Sequence, residues 1–355
     1  MDAFRGITIA AMILVNNPGT WSAVYAPLLH AKWNGWTPTD LIYPFFLFVI
    51  GVAIPFSFSK HECPDQKNGL LIKVLRRSSV IFLLGIFLHL FPRFDFESLR
   101  IAGVLQRIAI VYGFAAIIFL YVNRRNLKLA VVLLLVGYWG LMTLVPVPGH
   151  GPGVLTPEGN LAAWVDSLLL PGRMYQTTWD PEGILSSLPA IASTLIGVMC
   201  GLFLLSPVPR REVASWLFVS GWALCILGIF WGSVFPINKQ IWTSSYVLLT
   251  SGAALQFMGA CQWLIDVKGY RKIFQPAIVF GVNSITVYVL SGMMASLMTA
   301  IQVTPELSLK NWVVQNVFMS WMDPINASLA FALCYVLLWY SIMRVFYRRR
   351  IFLKV

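Results

Sequence analysis

The sequence predicts an all-α integral membrane protein: a bundle of about ten transmembrane helices with both termini cytoplasmic. Three observations carry that prediction. Hydrophobic residues make up 58% of the 355 and charged residues only 11%, whereas a soluble domain is about one quarter charged. Apolar runs of about 20 residues recur, the length a helix needs to cross the hydrocarbon core, which favours helices over a barrel. Lys and Arg cluster on alternate connections between those runs, as topology in a membrane requires.

Taken in order, the expected spans are 4–17, 39–58, 74–91, 101–122, 127–146, 185–205, 213–235, 242–264, 276–298 and 324–346. The first run is stopped by Pro18-Gly19, and it leads into a polar loop without a small-residue cleavage site, so it is expected to stay as a helix. The outer loops are 17–38 and 147–184. The second contains the Gly- and Pro-rich GHGPG, and Trp164 with Leu168, Leu169 and Leu170 suggests a short helix within it. A loop of that length is usually functional or disordered. Residues 306–322, including NWVVQNVFMSWM, read as an amphipathic helix lying at the interface. The whole chain, 1–355, reads as one transmembrane domain without an internal repeat.

Charge orients the bundle. With the N-terminus inside, nineteen of the 26 Lys and Arg fall on cytoplasmic segments and seven on outer ones. The net charge of +12 is then loop charge, and nucleic acid is not an expected partner. The five cysteines, Cys63 among them, are scattered. They show neither metal spacing nor a disulfide framework.

Chemistry-bearing residues concentrate in the outer loops. His30, one of four histidines, sits in HAKWNGWTPTD. Its ordinary pKa suits a general base or nucleophile, although a loop histidine is often structural. Trp33 and Trp36 fit either an interfacial belt or a surface for a sugar ring. Asp40 fits a helix cap or a carboxylate that orients the imidazole. Asn16 fits a helix-end cap or a hydrogen-bond donor to a developing oxyanion. Asp180 and Glu182 precede the sixth span, where they suit capping or substrate contact. Asn238 and Lys239 stand in PINKQIWTSS between two spans.

Other polar groups sit where lipid would penalise them. Gln106 and Arg107 open the fourth span, and an arginine there needs a partner: Asp40, Asp95, Glu97, Glu182 or an anionic ligand. Asn283 and Ser284 interrupt the ninth span, either bonding a neighbouring helix or lining a polar channel. Arg5 lies three residues from Asp2 and pairs with it or binds an anion. Arg76, Arg77 and Lys354 are inner cations, suited to lipid contact or to phosphates.

Read together, DAFRG, VNN, HAKWNGWTPTDLIYPFFLF, RIAGVLQR, WDPEGIL, PINKQIWTSSYVLL, FGVNSITVYV and RRRIFLKV occur in that order. They resemble the family of heparan-α-glucosaminide N-acetyltransferase, the lysosomal transmembrane acetyltransferase, and its bacterial homologues of the NagX type. The resemblance runs over essentially the whole chain. The chain starts at DAFRG, where relatives carry a few basic residues before it. The resemblance implies acetyl transfer from cytoplasmic acetyl-CoA to a glucosamine-type amine on the outer side. It implies a catalytic His30 with Asn16, and Asp40 is then expected to orient the imidazole or the acceptor. Trp33, Trp36, Asp180, Glu182, Asn238 and Lys239 are then expected at the acceptor, and Arg5, Arg76, Arg77, Gln106, Arg107, Asn283, Ser284 and Lys354 at the cofactor. Acetyl-CoA is the expected co-substrate, with no metal. Membrane lipid, a small amino sugar and a second copy of the chain are the expected partners, in a bacterial inner membrane. An amino-sugar permease and an O-acyltransferase acting on a periplasmic glycan are the competing readings.

Overall fold

The computed structural model describes residues 1–59 and 67–353; Cys63 and Lys354 lie outside them. The helices are α1 (Asp2–Asn16), α2 (Ile42–Phe58), α3 (Lys67–Leu90), α4 (Val104–Tyr121), α5 (Leu127–Leu144), α6 (Leu161–Leu169), α7 (Ser187–Leu204), α8 (Arg210–Gly232), α9 (Ser244–Cys261), α10 (Gln275–Val282), α11 (Ser284–Ala300), α12 (Leu309–Val313) and α13 (Pro324–Arg348). All ten apolar segments are helical. Among the described residues, seven helical stretches are long and apolar enough to cross a membrane, or eight if α10 and α11 count as one broken span. Of the rest, α1 has only 15 residues, and α3 carries Lys67, Lys73, Arg76 and Arg77. The chain is a multi-pass α-helical membrane protein.

The ninth expected span, 276–298, needs correction. α10 and α11 meet at 82° at Asn283, whose backbone leaves the helical region (φ −118°, ψ 37°). The side chain of Asn283 closes the break. Its Nδ2 donates to the carbonyl of Ile351 at 2.9 Å, and its Oδ1 accepts the Leu353 N–H at 3.1 Å. The segment after α13 is thus held by an amide that hydropathy reads as a mere interruption. The helix expected over 306–322 is also shorter. A small antiparallel pair, β1 (Gln302–Thr304) with β2 (Leu307–Ser308), precedes α12, and a wider π-type turn follows over Val314–Phe318.

Close backbone approach sets two pairings. A Cβ at Gly51 of α2 would strike the Thr194 carbonyl of α7, and one at Gly197 would strike that of Phe48. α1 and α10 meet the same way, with Gly6 against Ala277 and Gly281 against Asp2. In lipid, where apolar surface gains little by pairing, such contact is what holds helices together. One apolar core runs through the bundle, and Phe4, Leu47, Phe48, Val111 and Tyr246 are all inside it. A second, around Tyr138, Met142, Leu161, Phe235 and Ile241, seats α6 and the long loop on the bundle. Asn160 caps α6 by accepting the Ala163 N–H at 2.8 Å.

Candidate active site

The loop between α1 and α2 folds back on itself because of Asp40. Its Oδ2 accepts the N–H groups of Ala31 and Thr37, both at 3.0 Å, and the Thr37 hydroxyl at 3.1 Å. This is a capping box on the turn Pro38–Leu41 that leads into α2. Its Oδ1 lies 2.7 Å from His30 Nδ1. The two readings of Asp40 are therefore both true, one for each oxygen. The carboxylate is buried, while the His30 side chain is 43% exposed. An ionised carboxylate only accepts, so Nδ1 carries a proton, and in the neutral imidazole Nε2 is the nitrogen with the lone pair.

Lys239 completes the group. Its Nζ lies 2.8 Å from His30 Nδ1, 3.2 Å from Nε2 and 3.3 Å from Asp40 Oδ1. With the Nδ1 proton directed at Asp40, the acceptor left for Nζ is Oδ1, because a position this close to both ring nitrogens lies beside the ring and off the Nε2 lone pair. Burial pulls the Lys239 ammonium below the usual lysine range, although Asp40 and Glu182 pull the other way. The loop that delivers it is braced by Asn238, which is itself buried. Asn238 accepts the Ile241 N–H and donates to Asn34, at 3.2 and 3.1 Å. Its backbone N–H goes to the Thr243 hydroxyl at 3.0 Å. Gly35, at φ +97°, donates to the Ile237 carbonyl at 2.8 Å. The expected substrate contact of Asn238 is instead a brace for Lys239.

Beside this group stands a sealed one. Arg100 meets Asp180 through Nε at 2.8 Å and Nη2 at 2.6 Å, and its Nη2 also reaches Glu182 Oε2 at 2.5 Å. Asp180 further accepts the N–H groups of Tyr175 and Glu182, both at 2.9 Å. Burial would raise its carboxyl, but Arg100 holds it below the usual carboxylate range. Asp180 does not cap α7, which starts at Ser187, and it has no oxygen open to a substrate. Arg107 grips the same stretch, donating to the Pro181 carbonyl at 2.7 Å, the Gly183 carbonyl at 3.2 Å and the Ser186 hydroxyl. Its two terminal nitrogens are spent on a loop. Gln106 is likewise turned inward, 3.3 Å from His89 Nδ1. Asp166 of α6 holds the Ile184 N–H at 2.8 Å, and burial pushes its carboxyl up to about 7.

The aromatic residues split. Trp33 donates to the Leu155 carbonyl at 2.9 Å and meets Trp179 edge-on at 5.3 Å between ring centroids. Trp36 stays exposed. Trp179 and Tyr175, whose ring lies under the Arg100 guanidinium at 5.0 Å, extend this wall. Sequence reading missed Tyr175, Trp179 and His89; WDPEGIL, which holds Trp179 and Asp180, was the available signal.

Asn16 lies elsewhere. Asn17 follows α1 as its cap residue and donates its side-chain amide to the Ile13 carbonyl at 2.8 Å, which leaves Asn16 in a cleft of about 210 Å³ with Leu88, Tyr288, Ser291 and Ser296. No hydrogen bond joins Asn16 to His30 among the described residues. At the other end of α1, Arg5, Arg77, Tyr112 and Ser284 line a smaller cavity of about 50 Å³. Arg77 stacks over Tyr112 at 4.9 Å, and its Nε is buried without a partner. Arg76 is exposed and does not line this cavity, and Asn283 spends its amide on the C-terminal segment. Among the described residues, no three His, Cys, Asp or Glu gather as a metal site would require.

The family model described as heparan-alpha-glucosaminide N-acetyltransferase, catalytic, matches residues 1–228. The heparan-alpha-glucosaminide N-acetyltransferase of Homo sapiens is 31% identical over 353 residues, covering 81% of this chain and 52% of the relative. That of Mus musculus is 26% identical over 420 residues, covering 100% of this chain and 60% of the relative. The chain thus spans little more than half the length of the curated relatives it matches. With 228 consecutive residues answering to the catalytic model, and His30, Asp40 and Arg5 all among them, the chain belongs to the heparan-α-glucosaminide N-acetyltransferase family.

Proposed function

We propose that the chain is a transmembrane N-acetyltransferase that moves the acetyl group of acetyl-CoA to the amine of a glucosamine-type sugar. The observation that carries this reading is His30, whose Nδ1 is held by buried Asp40 while its side chain stays 43% exposed. Such an imidazole is oriented as a base, and the carboxylate stabilises the imidazolium once it forms. In the reaction, Nε2 takes a proton from the attacking amine, the N–C bond forms, the C–S bond breaks, and CoA leaves as the thiol.

The donor route is supported by two cavities that share the same walls. Both lie against α1 and α11: Arg5 and Ser284 line one, Asn16 and Ser291 the other. Arg5 to Asn16 is about 16 Å along a helix rising 1.5 Å per residue. The unpartnered Arg77 Nε and the Arg5 guanidinium suit phosphates at one end, and a pantetheine arm lying along the seam would bring the thioester towards Asn16. Asn16 is then a hydrogen-bond donor on the path of the thioester. The charge asymmetry supports the Arg5 end as cytoplasmic and His30 as periplasmic. Trp33, Trp36 and Glu182 border the acceptor, and the protein works as a homodimer in the inner membrane.

The test is purified protein in detergent with acetyl-CoA and a panel of amino sugars, with products read by mass spectrometry. N-acetylated glucosamine, lost in His30→Ala, is expected. Near-full transfer by His30→Ala would overturn the assignment of the base. Sugar uptake into proteoliposomes without acetyl-CoA would favour a permease.

A further inference from the structure

We propose that Lys239 is a modification site: when no sugar amine is present, its Nζ serves as an internal acceptor and becomes Nε-acetyl-lysine. The inference rests on the acetyl-transfer reading and goes beyond it. Nζ stands against the imidazole of the base, 2.8 Å from His30 Nδ1, 3.2 Å from Nε2 and 3.3 Å from the carboxylate behind it. The Asn238 brace and the Gly35 hydrogen bond hold the loop that carries it against the His30 loop. A nucleophile fixed beside a base needs no diffusional encounter, and its effective concentration far exceeds that of a dissolved sugar. Burial, which lowers the proton affinity of Lys239, eases formation of the neutral amine.

The step balances without another reactant. The amine lone pair attacks the thioester carbon, the Nζ–C bond forms and the C–S bond breaks. Of the two protons that the ammonium gives up, one leaves with the thiol of CoA and the other reaches solvent through His30. The product replaces a cation beside Asp40 with a neutral amide, which fills the acceptor position. Acetyl-CoA alone should therefore inactivate the protein slowly, and a sugar amine should protect it by competing for the acetyl group.

The full chain in detergent is incubated with isotopically labelled acetyl-CoA, with and without glucosamine, and digested for peptide mass spectrometry. Without sugar, Lys239 should gain label about tenfold or more above Lys32, an exposed lysine in the same loop as His30. Glucosamine or His30→Ala should suppress that gain. Lys239→Arg, whatever its starting rate, should keep that rate through preincubation with acetyl-CoA while the wild type declines. N-acetylation of glucosamine with Lys239 unlabelled would overturn the inference alone, as would equal Lys239 labelling in His30→Ala. If neither glucosamine nor Lys239 is acetylated, the acetyl-transfer reading falls and takes the inference with it.

Discussion

Two carboxylate–cation groups sit at the same end of the bundle, and they differ in what is left over. In the Arg100 group, the side chains of Arg100, Asp180 and Glu182 are 18%, 0% and 10% exposed, and both Asp180 oxygens are taken by Arg100 and two backbone N–H groups. In the His30 group the carboxylate is as deeply buried, but its partner is an imidazole whose side chain is 43% exposed. A fixed guanidinium cannot take up a proton, so the first group is a strut. An imidazole can, so the second group can do acid–base work. The difference lies in the cation and its exposure, not in the carboxylate.

The sharpest way to break this contrast is to remove the partner of each carboxylate in turn. His30→Ala should lower acetyl transfer by about a thousandfold with little change in Tm. Arg100→Met should cost about 3–5 kcal/mol of stability, because it leaves Asp180 buried without its partner, while the folded fraction keeps most of its transfer rate. Thermal unfolding and initial rates on both variants decide it; full stability with lost transfer in Arg100→Met would move that group into the site. Next in size, Arg77→Gln should raise KM for acetyl-CoA about tenfold, the value of one charge-assisted contact, and leave KM for the sugar unchanged. An equal rise in both would detach Arg77 from the donor.

A further effect, read as a dependence on pH, concerns Asp166, whose carboxyl is raised by burial from 3.8 to about 7. The folded state then holds the proton more tightly than the unfolded chain. The stability from this group is fully present below about pH 4 and is lost as pH rises through about 7. Tm should drift down across that window, and Asp166→Asn should flatten the drift. A wild-type Tm that is level over this range would show that the loop bearing Asp180 is held by arginines alone.

Hydropathy made the helices legible, because ten apolar runs separated by polar loops leave few alternatives. It could not show the break at Asn283, since one amide and one serine barely change the mean of a 20-residue window. The pairing of His30 with Asp40 was readable at a spacing of ten, within one loop. Arg100 with Asp180 was not, since 80 residues separate them and several carboxylates were equally available. Arg107 illustrates the same limit: its need for a partner was plain, but its partners are carbonyls and a hydroxyl of the 181–186 turn, which carry no sequence mark. Asn16 and Asn17 are adjacent and chemically identical, and only the geometry at the end of α1 assigns the capping to Asn17.

The amide of Asn283 has a practical consequence. Because it grips the backbone at 351 and 353, a reporter or affinity handle fused close behind residue 353 would pull on the corner where α10 turns into α11. That corner borders the cavity of Arg5 and Ser284. Handles for purification or sidedness mapping are better grafted into the long loop at Gly149–Gly153, where added bulk meets open space at Gly149 and Gly151.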